Sequence, residues 1–162
     1  MATVGDVCTR SPRVCGMEAT LAEAAKVMWE ADCGAIPVVD AERKVVGMIT
    51  DRDIAMALAT RGEGAAGTRV RDIAQTRVVA CRADESMAVA FSRMAKFQLR
   101  RLPVVGADGR IEGLLSLSDA VRCSGRWMGP KGEDVGAGAI VQVLQAIGVS
   151  PDTKMTMKVP AK

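Results

Sequence analysis

Ile36-Pro37-Val38-Val39, then Gly47-Met-Ile-Thr50-Asp-Arg-Asp53, is followed 66 positions later by Leu102-Pro103-Val104-Val105 and Gly113-Leu-Leu-Ser116-Leu-Ser-Asp119. Extended in both directions, the same offset aligns Val4–Ala57 with Val70–Cys123 without a gap. Of these 54 positions 12 are identical, among them Asp6 with Asp72, Cys15 with Cys81 and Met28 with Met94. An ungapped match that keeps the strand proline, the glycine and the acid in register marks one structural unit written twice.

Each copy reads alike. Thr20-Leu-Ala-Glu23 has the spacing of a capping box, and Leu21, Ala24, Ala25 and Met28 follow at helical period, which predicts a helix from about Leu21 to Asp32. Its counterpart begins after Ser86. Two short apolar runs, Ile36–Val39 and Val45–Ile49, flank the turn-forming Asp40-Ala-Glu-Arg43 and predict a hairpin. The proline in the first run is expected at a sheet edge or strand start. A helix from Asp51 to Ala59, stopped by Gly62, closes the copy; Leu102–Val105, Ile111–Leu115 and Leu117–Cys123 repeat the pattern. The order is β-α-β-β-α, twice, an α+β fold. Residues 1–62 form the first unit, the glycine-rich 63–67 a linker and 68–124 the second unit, the two packing face to face about a pseudo-twofold axis. In the extension 125–162, Ile140, Val143, Leu144 and Ile147 fall on one helical face, and Lys154–Val159 alternates like an edge strand.

Composition removes several function classes. The 162 residues include no His, so imidazole-based triads and zinc sites are excluded. The five Cys are nowhere spaced as C-x-x-C and read as buried, reduced packing residues. With two Trp, two Phe and no Tyr there is almost no platform for base stacking. No run approaches the length of a membrane span, and no leader-like segment opens the chain, so a cytoplasmic location is expected. No P-loop is present, and Gly136-Ala-Gly138 is not a dinucleotide fingerprint. Residues 67–132 carry twelve basic and six acidic side chains, which points to an anionic partner for the second unit.

At Thr50 and Ser116 a strand ends in a hydroxyl residue where a helix begins. Free backbone amides and a hydroxyl then converge on one place, as a phosphate requires. The acid three residues on, Asp53 or Asp119, lies about one turn away, where a carboxylate can accept both hydroxyls of a ribose. As simple caps these residues contribute about 0.5 to 2 kcal/mol to their helices; their recurrence in register with the glycine and the proline strand favours the ligand reading. Together these residues resemble the cystathionine beta-synthase (CBS) domain, and the pair resembles a Bateman module, over roughly residues 3–124.

The resemblance implies a regulatory module, not an enzyme, that binds an adenosyl ligand (AMP, ADP, ATP or S-adenosylmethionine) without a tightly held cofactor or metal. Carried over residue by residue, it places Thr50, Asp53, Ile36 and Pro37 in one cleft and Ser116, Asp119, Leu102 and Pro103 in the other. Arg52 and Arg100 are the candidate phosphate contacts, because guanidinium forks suit phosphate oxygens. Since Asp51-Arg52 becomes Leu117-Ser118, and Gly34-Ala35 becomes Arg100-Arg101, the clefts are expected to differ. The expected partners are a second copy, in a homodimer, and a separate effector protein. The rival readings are a dimerisation module without a ligand, or nucleic-acid binding through the basic second unit.

Overall fold

The computed structural model describes residues 2–124 and 137–148. The elements run α1 (Val4–Val7), β1 (Thr9–Arg10), β2 (Cys15–Gly16), α2 (Leu21–Glu30), β3 (Ala35–Val39), β4 (Val45–Thr50) and α3 (Asp51–Arg61). A 3-10 turn at Val70–Asp72 leads to α4 (Met87–Phe97), β5 (Arg101–Val105), β6 (Ile111–Ser116), α5 (Leu117–Ser124) and α6 (Ala137–Gly148). This is the α+β arrangement expected, with two small sheets ordered β2-β3-β4 and β1-β6-β5. The predicted alternation at Lys154–Val159 lies outside the described residues.

Local chemistry sets the element ends. The Thr20 side chain accepts from the Glu23 amide, and the Glu23 carboxylate accepts from the Thr20 amide at 2.7 Å, completing the capping box of α2. Gly62, left-handed at φ 71°, ends α3. In the hairpin turns, Arg43 and Gly109 occupy the same repeat position, and both have positive φ, 62° and 80°.

The first segments are exchanged between the units. Val4 and Gly5 donate to the carbonyls of Glu85 and Ala83, and β1 pairs with β6, so the start of the first copy completes the second unit. In return, Val70 donates to Ala19 at 2.8 Å, and Gln75 and Met48 exchange amide–carbonyl bonds, so the start of the second copy completes the first. The bridges Thr3–Ser86 and Thr20–Arg69 are the same contact under the repeat offset. Val4 and Val7 fill the second unit's apolar core, and Val70 fills the first's. Across the axis the hairpin turns meet: Val45 donates to Gly109 and Ile111 to Arg43.

That exchange explains the glycines. A Cβ on Gly113 would stand 2.8 Å from Cys8 Sγ and 3.1 Å from the Thr9 carbonyl, and one on Gly47 would stand 3.2 Å from the Gln75 carbonyl. Both positions are kept bare so that the crossing segment can pair. Both prolines occupy the third position of their strands: Pro103 lies in β5, an edge strand as expected, whereas Pro37 lies in β3, the central strand of its sheet. Pro103 shows why this is harmless: its carbonyl accepts from the Cys81 amide at 3.0 Å, so its missing amide lies on the same flank, where the partner segment is a single bridge.

Of the five cysteines, all free, only Cys15 and Cys81 are buried; Cys8, Cys33 and Cys123 are half-buried. Burial pushes the Cys15 thiol up to about 11 and the Cys81 thiol up to about 12. Helix α6 packs on α4 and α5 through Ile140 and Val143, with Ile147 against the same cluster. Leu144, expected on that face, is 48% exposed.

Candidate functional site

The end of each hairpin's second strand carries the hydroxyl–acid pair as a complete capping box. In the first unit Asp53 Oδ2 accepts from the Thr50 amide at 3.0 Å and from Thr50 Oγ1 at 2.7 Å, while the Asp53 amide donates back to Thr50 Oγ1. In the second, Asp119 Oδ2 accepts from the Ser116 amide at 2.9 Å and from Ser116 Oγ at 2.6 Å, with the same return bond. The cap is therefore real in both copies, and it uses one carboxylate oxygen of each acid.

The remaining oxygens differ. Asp119 Oδ1 accepts from Thr9 Oγ1 at 3.3 Å and from the Arg122 guanidinium, and the residue is 5% exposed. Among the described residues Asp53 Oδ1 has no such partner, because the repeat places Gln75 and Met56 where the second unit has Thr9 and Arg122.

Ser116 and Asp119 open onto a cleft of about 480 Å³ between the units. Its walls are Thr9 and Ser11–Arg13 from the crossing segment, Ala31–Ile36 from the α2–β3 junction of the first unit, and Arg101, Leu114, Ser118 and Arg122 from the second. Three guanidinium groups, Arg13, Arg101 and Arg122, line it beside apolar Pro12, Ile36 and Leu114. Such a lining suits a ligand with a flat apolar part and an anionic part.

The grouping of residues differs from the one carried over from the family. Ile36 lines the cleft of Ser116 and Asp119, not one with Thr50 and Asp53 alone, because the units face each other and the α2–β3 junction of one lies over the strand end of the other. Pro37, Leu102 and Pro103 are fully buried in the sheets and do not line this cleft. Arg100 and Arg52 are exposed and do not line this cleft; the neighbouring Arg101 does. The Arg100 carbonyl accepts from the Leu117 amide at 3.0 Å, as Gly34 accepts from Asp51, which ties each junction to the start of its unit's last helix.

Sequence reasoning missed Thr9, Arg13, Arg101 and Arg122. Arg122 had a readable signal: it lies one turn beyond Asp119 on the same helix, at the spacing of an ion pair. The crossing segment had none. No group of three or more His, Cys, Asp or Glu among the described residues is placed to hold a metal ion. No helix there is long and apolar enough to cross a membrane.

Comparison with known proteins agrees with this fold. The CBS domain family matches twice, at residues 4–60 and 70–125. The CBS domain-containing protein YhcV of Bacillus subtilis is 37% identical over 120 residues, 74% of this chain and 83% of that protein. The CBS domain pair of protein MJ0100, solved in complex with 5′-methylthioadenosine and S-adenosyl-L-methionine, superposes with a TM-score of 0.71 at 28% identity, covering 78% of this chain and 98% of that one. CBSX2 in complex with AMP gives 0.67 at 25%, with the same coverages; the same protein has been described from Arabidopsis thaliana. Two matched repeats, a shared architecture and a free-standing relative of similar length lead to one conclusion: the chain belongs to the CBS domain family, as a tandem pair.

Proposed function

We propose that this CBS pair is a regulatory module that binds an adenosine ligand between its units and passes the bound state to a separate effector protein. The observation that carries the reading is the buried Asp119, held by Ser116 at the mouth of α5 and opening onto a cleft lined by three arginines. In this reading Asp119 accepts the ribose diol, Ser116 and the first amides of α5 meet the α-phosphate, and Ile36 and Pro12 flank the adenine. The arginines favour a phosphorylated ligand (AMP, ADP or ATP) over S-adenosylmethionine, whose sulfonium adds positive charge to a site that already holds an excess. The ligands bound by the MJ0100 pair and by CBSX2 support an adenosyl compound in either case.

The ribose takes the place of Thr9 and Arg122 on Asp119 Oδ1. Binding thus exchanges an internal ion pair for a ligand contact and frees Arg122 for phosphate. Under the pseudo-twofold, the second cleft sets Thr50 and Asp53 beside Arg100, with Arg52 at the helix start, which makes it a distinct site. The division into units at 1–62 and 68–124, joined by 63–67 and followed by an extension at 125–162, belongs to the same reading, as do a cytoplasmic location, a homodimeric state and a role in binding rather than catalysis.

Thermal-shift measurements on nucleotide-stripped protein test it. A ligand at about 100 times its dissociation constant adds about 2.7 kcal/mol, a shift of several degrees for a domain of this size. Stabilisation by AMP, ADP or ATP that is absent in Asp119→Ala is the expected result. No response to any adenosyl compound would leave a dimerisation module without a ligand.

A further inference from the structure

The two units treat their outer helical faces differently. On the second, α6 lies over α4 and α5, with Ile140 5% and Val143 2% exposed. The equivalent face of the first unit, between α2 and α3, is an open groove of about 510 Å³ whose apolar lining is Ala25, Met28, Trp29, Ile54, Ala55 and Leu58, with Asp32 and Asp51 at its rim. Trp29 is 88% and Leu58 40% exposed.

Helix α6 is itself unusual. From Ala137 to Gly148 it has no charged residue, and its only polar side chains are Gln142 and Gln145. At 3.6 residues per turn, Val141 and Leu144 continue the apolar arc sideways from Ile140, Val143 and Ile147, so that it spans roughly 160° of the circumference. A helix buried on one side only needs a stripe of about 100°. Val141 and Leu144 are 50% and 48% exposed. The second apolar side of α6 and the groove of the first unit are thus both uncovered among the described residues, one a ridge and the other a furrow.

We propose that α6 is shared between two chains: in a twofold dimer it lies between the second unit of its own chain and the α2–α3 groove of the other, with Val141 and Leu144 against Trp29 and Leu58 of the partner subunit. This rests on the homodimer put forward above and names its contact. The seat that α6 already has favours a second copy. The α4–α5 face is the groove's repeat equivalent, and it is filled by this same uncharged helix. The contact is reciprocal, so one twofold operation satisfies both ridges and both grooves, and the assembly closes at two. Pairing groove with groove would leave both outer sides of α6 in water.

Sedimentation velocity of the full chain at micromolar concentration tests the contact, with Trp29→Glu and Leu144→Glu, both at exposed positions, checked for folding by circular dichroism. The expected result is a wild-type dimer, a dissociation constant raised at least about tenfold by either substitution, as for an interface anchor, and association recovered when Trp29→Lys is combined with Leu144→Glu. A dimer weakened by Trp29→Glu but indifferent to Leu144→Glu overturns the shared helix and keeps the homodimer. A wild-type monomer overturns both, and points to residues of the same chain as the cover of the groove.

Discussion

The two units descend from one sequence pattern, and they differ most where each meets something outside itself. In the second unit the acid is buried, bonded on both oxygens and backed by an arginine, and the outer helices are covered by α6. In the first, the acid is half-buried with one oxygen free among the described residues, and the outer helices carry a bare tryptophan. The shared elements, capping box, hairpin and core helices, are those that fold the unit. The differing ones are Arg122 against Met56, Arg101 against Ala35, and the seat of α6 against an open groove. Duplication supplied two equal frames, and the lesson is that function is to be sought in what was not kept equal.

The largest expected effect breaks the cover of the second unit. Val143→Asp places an unpaired carboxylate at a position 2% exposed against the cluster that includes Phe91 and Met94. It should cost about 3 kcal/mol or more, read by urea unfolding. Leu144→Glu, one residue on but outward, should leave the stability of the isolated chain nearly unchanged. Equal losses would mean that α6 does not sit as described.

Next comes the exchange of first segments. Gly113→Ala meets Cys8 Sγ and the Thr9 carbonyl, whereas Gly47→Ala meets only the Gln75 carbonyl within 3.4 Å. Overpacking of this kind costs about 1 to 3 kcal/mol, and the second unit should suffer more. A larger loss from Gly47→Ala would contradict the tighter crossing at β1.

A third test separates the units by pH. Arg93 forms a two-pronged pair with Glu85, one bond at 2.7 Å, and also donates to the Ala80 carbonyl; the first unit has Val27 and Ala19 at these positions. The Arg93 hydrogen bond holds the Glu85 carboxyl below its usual range. A carboxyl depressed by folding contributes stability that is whole above its unfolded value of about 4.3 and is lost as pH falls through the folded value. Glu85→Gln should therefore cost about 1 kcal/mol or less near neutrality and flatten the acid side of the stability curve. An acid limb unchanged by the substitution would assign that dependence to other carboxylates.

The smallest effect concerns the turns. Arg43 adopts the left-handed conformation that Gly109 takes at the equivalent position, and relief of that strain by Arg43→Gly is worth at most about 1 kcal/mol. A clear loss of stability would show that the Arg43 side chain contributes more than its backbone costs.

Much of this was legible in the residues. Periodicity and caps locate α2 to α5 within a residue or two, and Thr50, Asp53, Ser116 and Asp119 are found where a strand hands over to a helix. What the sequence hid follows from its symmetry. An offset alignment matches Val4 with Val70 equally well whether each serves its own copy or the other, so the exchange, and with it Thr9 and Arg13 in the cleft, left no trace. The family resemblance groups Ile36 with Thr50, and nothing in the sequence shows that it faces Ser116 across the interface. Spacing puts Leu144 on the buried face because an apolar arc this wide has no single centre that spacing alone can find.

In the function proposed above, the Ser116–Asp119 cleft holds an adenosine ligand. Calorimetric titration of nucleotide-stripped protein with AMP tests it most directly, comparing wild type with Asp119→Ala and Asp53→Ala, each first shown to be folded. Loss of the charge-assisted ribose contact, about 1.5 to 3 kcal/mol, should weaken binding roughly ten- to hundredfold in Asp119→Ala, with a second, separable change in Asp53→Ala. Affinity and stoichiometry unchanged in Asp119→Ala would mean that this cleft does not hold the ligand.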